Sequence, residues 1–169
     1  MYLTSAHEFE ETLGLTELDK ELWFSGSTQL ERNSYHLPSS TAGQTLVART
    51  LSSVVLGLGE GWMQITYWNN DLDANQDLFY GYRRGHGDSR SLAEASLYRF
   101  APADVSMLFS ILSLVLYFRW NARMFDAGQT YFVRVDNDGF LDYATISERF
   151  RNAAAEGFPL MGLKRQEPA

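Results

Sequence analysis

The clearest hydrophobic pattern in the chain lies between residues 41 and 57. Apolar side chains recur there every three or four positions, which is the spacing of one face of an α-helix. Ser39, Ser40 or Thr41 can cap its start, and Gly57, Gly59 and Gly61 interrupt it at the other end. The sequence therefore predicts an amphipathic helix over 41–57, with the apolar positions Val47, Leu51, Val54, Val55 and Leu58 turned to the core.

A second pattern, of period two, follows in residues 62–68. This run is rich in aromatic and β-branched residues and is typical of a strand. Alternation predicts that Met63, Ile65 and Tyr67 face the core. The opposite face would then carry Trp62, Gln64, Thr66 and Trp68.

A β-hairpin is the strongest local prediction near the C-terminus. Two alternating segments, 130–135 and 140–144, flank the turn sequence Asp136-Asn137-Asp138-Gly139. Thr145 or Ser147 then caps a final helix, which Gly157 is expected to end.

The remaining segments give weaker patterns. We expect short helices after Ser5 and after Thr16, although Leu22-Trp23-Phe24 is equally compatible with a strand. Residues 25–40 are interpreted as a loop, 76–84 as a short helix, and 85–88 as a turn. Residues 91–100 fit either a strand or a helix. Pro102 suits the first turn of a helix that reaches about residue 116, although the end of this apolar stretch could instead continue as a strand.

Helices and strands therefore alternate without a regular βαβ repeat. This favours the α+β class, with an antiparallel or mixed sheet packed against several helices and a C-terminal β-hairpin followed by a helix. We expect residues 1–163 to form a single globular domain and residues 164–169 to form a flexible tail.

Composition narrows the setting of this domain. The chain has 169 residues, 45% of them hydrophobic, and no cysteine, so it can build a large core without disulfides. The start of the chain lacks the basic and apolar regions of a secretory signal, and the uncharged run Val105–Phe118 is shorter than a membrane span. We expect a buried core element there and a cytoplasmic protein.

Negative charge is concentrated at the N-terminus. The net charge is −7, and the first 31 residues hold seven carboxylates against one lysine. Nucleic-acid binding usually needs a basic face, so this distribution argues against nucleic acid and favours a cationic partner. A solvated acidic face that aids solubility is the plainer interpretation of the same residues.

Carboxylates and one tryptophan form the predicted partner-binding set: Glu11, Glu17, Asp19, Trp68, Asp71, Asp73 and Asp77. The spacing of Asp71, Asp73, Asn75 and Asp77 resembles the start of a calcium loop. However, Gln76 stands where such a loop needs glycine and Tyr82 where it needs glutamate. The sequence therefore predicts no metal site.

A basic cluster around two glycines provides the alternative site. Arg83, Arg84, His86 and Arg90 can bind an anion, since guanidinium groups grip carboxylates and phosphates. The segment matches neither a phosphate-binding loop nor a nucleophile elbow, and no cofactor is predicted. A solvated loop is the competing interpretation.

These observations favour a protein-binding inhibitor over an enzyme. One such inhibitor is an immunity protein that covers the active-site face of a basic bacterial toxin with its acidic surface. The alternatives are a small-molecule-binding domain or enzyme that uses the Arg83–Arg90 loop, and a structural or adaptor subunit of an assembly.

Overall fold

A sheet of eight strands forms the frame of the molecule. The computed structural model describes residues 2–3, 30–68, 73–90 and 97–166. All neighbouring strands pair antiparallel, in the order β1-β4-β3-β5-β6-β7-β2-β8. The strands are β1 (Tyr2–Leu3), β2 (Glu31–His36), β3 (Gly61–Tyr67), β4 (Leu97–Phe100), β5 (Asn121–Phe125), β6 (Tyr131–Val135), β7 (Phe140–Thr145) and β8 (Lys164–Arg165).

Helices pack against one face of this sheet. They are α1 (Thr41–Leu58), α2 (Asp73–Gly85), α3 (Val105–Phe118) and α4 (Glu148–Leu160), and a 3-10 turn, Pro102–Asp104, leads into α3. The helix α1 contacts both α3 and α4. The predicted α+β domain, with its hairpin β6–β7 followed by α4, is confirmed.

The main core lies between the helices and the sheet. Inward positions of the strands alternate as the pattern requires, so that Met63, Ile65, Met124, Val133 and Leu141 are buried on the helix side. The predicted helix over 41–57 is confirmed as α1, whose apolar stripe is buried against these residues. Ser40 caps α1 by accepting a hydrogen bond from the Gly43 amide at 3.2 Å.

The other face of the sheet carries an apolar row beside a polar row. Trp62, Leu97, Phe125 and Phe132 form a second buried cluster. The adjacent row crosses five strands through cross-strand pairs and consists of Gln64, Arg123, Arg134, Asp142 and Ser34.

A register shift in β3 overturns part of the predicted facing of that strand. The pairing with β5 slips between Ile65 and Tyr67, so alternation fails at this end. Tyr67 was expected in the core but is exposed, and Trp68 was expected beside Trp62 but packs with the helix-side core. The prediction for these two residues was wrong because a bulge cannot be read from alternation.

Three segments that were predicted as a loop, as undecided or as a flexible tail are regular. Residues 31–36 lie within the predicted loop but form β2, which pairs with β7. The whole uncharged run Val105–Phe118 is helix α3, with no strand at its end. The last strand, β8, comes from the predicted tail and pairs with β2.

Helix α4 also differs from its prediction at the C-terminal end. Ser147 caps it, as one of the two predicted caps, by accepting a hydrogen bond from the Phe150 amide at 3.2 Å. The helix does not end at Gly157 but continues to Leu160. A Cβ at Gly157 would lie 3.0 Å from Thr50 Cγ2, so this glycine allows α4 to approach α1 closely.

Candidate functional site

The predicted basic cluster is divided by the structure into a buried and an exposed part. Arg83, in the last turn of α2, is 3% exposed and bonds to Asp88, which is 5% exposed. Arg83 Nε donates to Asp88 Oδ2 at 2.7 Å, and Arg83 Nη2 donates to the same oxygen. The backbone and side chain of Arg90 donate to Asp88 Oδ1 at 3.2 and 3.1 Å.

Local backbone bonds hold this cluster in place. The amides of His86 and Asp88 both donate to the Arg83 carbonyl, at 2.9 and 3.0 Å, so the chain folds back directly after α2. Gly87 has a φ of 84°, a conformation that glycine adopts without strain. Arg83 Nη2 also donates to the Arg90 carbonyl at 2.9 Å, which ties the two ends of the turn together.

Arg84 and His86 lie outside this buried cluster. Both are exposed, and each rests on an aromatic ring of α2. The Arg84 guanidinium carbon lies 4.6 Å from the Tyr80 ring centroid, and the His86 ring lies 4.7 Å from that of Tyr82. The structure thus brings Arg83 and Arg90 together on Asp88 and leaves Arg84 and His86 outside this ion pair.

Several buried polar atoms beside this ion pair have no hydrogen-bond partner among the described residues. They are Arg83 Nη1, Arg90 Nη2 and the hydroxyl of Tyr98, a side chain that is 1% exposed. A cavity of about 30 Å³ lies between α2, α3 and β4 at this point. Its polar lining consists of Arg83, His86, Asp88 and Tyr98, and the rest is formed by Tyr82, Met107 and Ile111.

Burial and charge set the protonation of these groups. Burial by itself would raise the pKa of Asp88, but hydrogen bonds from Arg83 and Arg90, with the charge of Arg83, outweigh it and hold that pKa below its ordinary value. Burial raises the pKa of Tyr98 well above its ordinary value. Asp88 is therefore an anion and Tyr98 keeps its proton at neutral pH.

The predicted acidic set is not assembled by the part of the chain that the structure describes. Glu11, Glu17, Asp19 and Asp71 lie outside the described residues. Asp73 begins α2 and Asp77 is exposed on the same helix.

Trp68, the aromatic member of that set, belongs to the core rather than to an open surface. Its ring lies 5.1 Å from that of Phe79 and 4.8 Å from that of Trp120. Both of these rings are fully buried, so Trp68 stabilises the attachment of α2 to the sheet.

The outward sides of α1 and α3 together form a neutral face, which the sequence analysis did not identify. Gln44 in the first turn of α1 and Leu116 in the last turn of α3 line the same cavity, so these helices run antiparallel. Their combined sequence contains a single charged side chain, Arg49. Leu46 and Tyr117 are nevertheless 41% and 59% exposed.

Hydroxyl groups on this neutral face bond to their own helices. Thr45 donates to the Thr41 carbonyl at 2.9 Å, Ser53 to the Arg49 carbonyl at 3.0 Å, and Ser110 to the Ser106 carbonyl at 2.8 Å. These hydroxyls therefore use their donors internally, and the surface they form is less polar than its composition indicates.

The polar row on the opposite face of the sheet was also missed. Arg134 Nε donates to Asp142 Oδ2 at 2.9 Å, and Ser34 Oγ donates to Asp142 Oδ1 at 2.6 Å. Arg123 Nε donates to Gln64 Oε1 at 2.7 Å, and burial lowers the pKa of Arg123. Arg134 and Asp142 occupy outward positions of the predicted hairpin, and this was the signal available in the sequence.

An open cavity of about 190 Å³ lies at the junction of α1, α3 and the hairpin turn. Its polar lining includes His36, Arg119, Asp136 and Asp138. Asp136 belongs to the turn itself, since its Oδ1 accepts from the Phe140 amide at 3.0 Å and its Oδ2 pairs with Arg134 at 3.2 Å. This carboxylate therefore has a structural role.

Within the described ranges, no group of three or more histidine or acidic side chains is placed to hold a metal ion. No helix in those ranges has the length and apolar content needed to cross a membrane. The comparisons with known proteins add no relative: no family model, no curated protein and no solved structure matches this chain.

Proposed function

We propose that this protein binds and inhibits a basic partner protein, with the neutral face of α1 and α3 as its contact surface. The observation that supports the proposal is the presence of exposed Leu46, Val105 and Tyr117 on two helices with one charged side chain between them. An outward helix face is normally polar and charged. The centre of a protein interface, in contrast, is depleted of charge and enriched in aromatic residues.

The desolvation cost of covering this face is low. Thr45, Ser53 and Ser110 donate to carbonyls of their own helices, so a partner that excludes water does not strand their hydrogens. Tyr117 presents a large ring with few rotatable bonds, which is typical of residues that dominate binding energy.

The charge of the chain supports a basic partner. A net charge of −7 attracts a cationic protein over distances longer than the contact itself and speeds association at low salt. An immunity protein that covers the active-site face of a basic toxin combines these two properties, since it needs a contact surface and attraction but no catalytic group.

The proposal is tested first by purifying the tagged protein from its native cells and identifying what binds. The bound protein is then expressed alone and together with this chain. We expect it to be basic, toxic when expressed alone, and harmless in the presence of this chain. The association rate should fall as salt rises.

Two matched substitutions locate the contact surface. Tyr117→Arg places a charge on the neutral face, in the last turn of α3, and should weaken binding at least tenfold. Leu160→Arg is the control, because Leu160 is 77% exposed on α4 but lies outside that face. Equal affinities of the two variants would exclude the α1–α3 surface.

Other outcomes identify other functions. A stable complex whose partner is harmless when expressed alone would instead indicate an adaptor subunit. A concentration-dependent dimer that Tyr117→Arg disrupts would show that the face joins two copies of the chain. Either result would contradict inhibition of a toxin.

A further inference from the structure

We infer that the cavity between α2, α3 and β4 is a binding site for one small anion, such as a halide or the carboxylate of formate. The anion would lie against Arg83 Nη1 and the Tyr98 hydroxyl. This site is independent of the proposed contact surface on α1 and α3.

Charge balance is the first argument. Among the described residues at this turn, Arg83 and Arg90 carry two positive charges against the single negative charge of Asp88. Asp88 neutralises one of these charges, and the second is only partly solvated, since the Arg90 side chain is 29% exposed. An anion in the adjoining cavity completes the compensation.

Hydrogen-bond accounting is the second argument. Arg83 donates two bonds to Asp88 Oδ2, and Arg90 donates two to Asp88 Oδ1. A carboxylate has about four acceptor positions, so Asp88 has none left to offer. The cavity therefore presents Arg83 Nη1 and the Tyr98 hydroxyl, which have hydrogens to donate and no acceptor among the described residues.

A water molecule matches this arrangement of hydrogen-bond donors less well than an anion does. A buried water normally makes about three hydrogen bonds and must place two hydrogens on acceptors. With Asp88 saturated, such a water would have to place its hydrogens on the Tyr98 oxygen or on Tyr82 and His86, the other polar side chains that line the cavity. A halide or carboxylate oxygen has no hydrogens to place and accepts from both donors.

Size determines the class of anion. The cavity of about 30 Å³ suits an ion of one to three heavy atoms rather than a phosphate or nucleotide. Burial raises the pKa of Tyr98, which keeps its hydroxyl a donor at neutral pH. Tyr82, Met107 and Ile111 provide apolar walls, against which a weakly hydrated ion such as bromide is readily accommodated.

The experiment compares melting temperatures in sodium bromide and sodium gluconate at equal ionic strength and pH. Gluconate is too large for the cavity. Bromide should raise the melting temperature saturably, by about 2–5 °C, because it binds the folded state alone. The general effect of bromide on proteins is to destabilise, so a rise has the opposite sign to the non-specific effect.

Two tyrosine variants make the experiment specific. Tyr98→Phe should remove the bromide response while the protein stays folded, since it deletes an unpaired buried hydroxyl. Tyr131→Phe is the matched control, because Tyr131 is 1% exposed and its hydroxyl also lacks a partner, but it does not line the cavity. This variant should respond to bromide as the unmodified protein does.

Crystals soaked in bromide give the position directly. An anomalous peak at hydrogen-bond distance from Arg83 Nη1 and the Tyr98 hydroxyl would support the site. A response to formate alone, lost in Tyr98→Phe, would identify a carboxylate site rather than a halide site. If neither anion raises the melting temperature, or if Tyr98→Phe still responds, the cavity holds water and the inference is wrong.

Discussion

Asp88 shows how a single residue organises its surroundings. Its two oxygens accept from Arg83 and Arg90, which come from either side of the turn after α2. The carboxylate therefore closes this turn and neutralises a buried guanidinium at the same time. Its importance depends on burial, because a similar ion pair in solvent contributes little to stability.

Replacing Asp88 by asparagine should destabilise the protein by about 3 kcal/mol, since the charge of buried Arg83 loses its partner. Urea unfolding at pH 7 measures the change. Asp77→Asn is the control, because Asp77 is exposed on α2, the helix that carries Arg83. Its free energy of unfolding should stay within about 0.5 kcal/mol of that of the unmodified protein.

The same pair has a defined pH dependence. The pKa of Asp88 is lower in the folded state than in the unfolded chain, so its contribution is fully present above the unfolded value. That contribution is lost as pH falls through the folded pKa. The gap in stability between the unmodified protein and Asp88→Asn should therefore narrow below about pH 4. A gap that stays constant at low pH would contradict the role of the carboxylate.

Gly61 is a residue whose smallness is required by its neighbours. A Cβ there would lie 2.6 Å from Phe100 Cζ and 2.7 Å from the Tyr131 hydroxyl, and both side chains are fully buried. Gly61→Ala should destabilise the protein by about 1–3 kcal/mol through overpacking. Gly81→Ala in α2 meets nothing within 4 Å and should instead stabilise by about 0.5–1 kcal/mol. Thermal unfolding of both variants tests the contrast.

At the scale of elements, periodicity predicted the helices and strands that are specified by residues close together in the chain. Helix α1 and the hairpin β6–β7 were found because their apolar spacing and turn residues lie close together in the chain. Strand β2 was missed because its polar side chains form hydrogen bonds with residues that are distant in the sequence. Ser34 bonds to Asp142 and Asn33 bonds to Tyr143, both on β7.

The candidate sites were predictable only in part, for the same reason. Composition drew attention to the arginines near residues 83–90, but not to Tyr98, which the sheet carries to them from β4. The uncharged sequence of α3 predicted a buried element. Nothing in that sequence shows that Val105 and Tyr117 are left exposed by the neighbouring helix.

The N-terminal cap of α4 offers a test at this scale. Ser147→Ala removes the hydrogen bond to the Phe150 amide and should destabilise the protein by about 1 kcal/mol. Ser53→Ala in α1 is the matched control, since Ser53 bonds to its own helix carbonyl and alanine is the better helix former. Circular dichroism in a denaturant series distinguishes the two outcomes.

At the scale of the molecule, the two faces of the sheet have different roles. One face is covered by helices whose outer surface is almost uncharged on α1 and α3. The other carries the row of Arg123, Arg134 and Asp142, next to a buried aromatic cluster. Within the helix layer, charge is concentrated on α2 and α4, which carry four charged side chains each, and is nearly absent from α1 and α3.

The strand order has a mechanical consequence. The two-residue strands β1 and β8 occupy opposite edges of the sheet, seven strand spacings or about 34 Å apart. A pulling force applied through Leu3 and Lys164 would act across the strands, along their hydrogen bonds rather than parallel to the strands. Such a load opens the bonds in succession, as in a zipper, starting with the shortest strands. The molecule is therefore expected to yield to small forces in this direction, although its core is well packed.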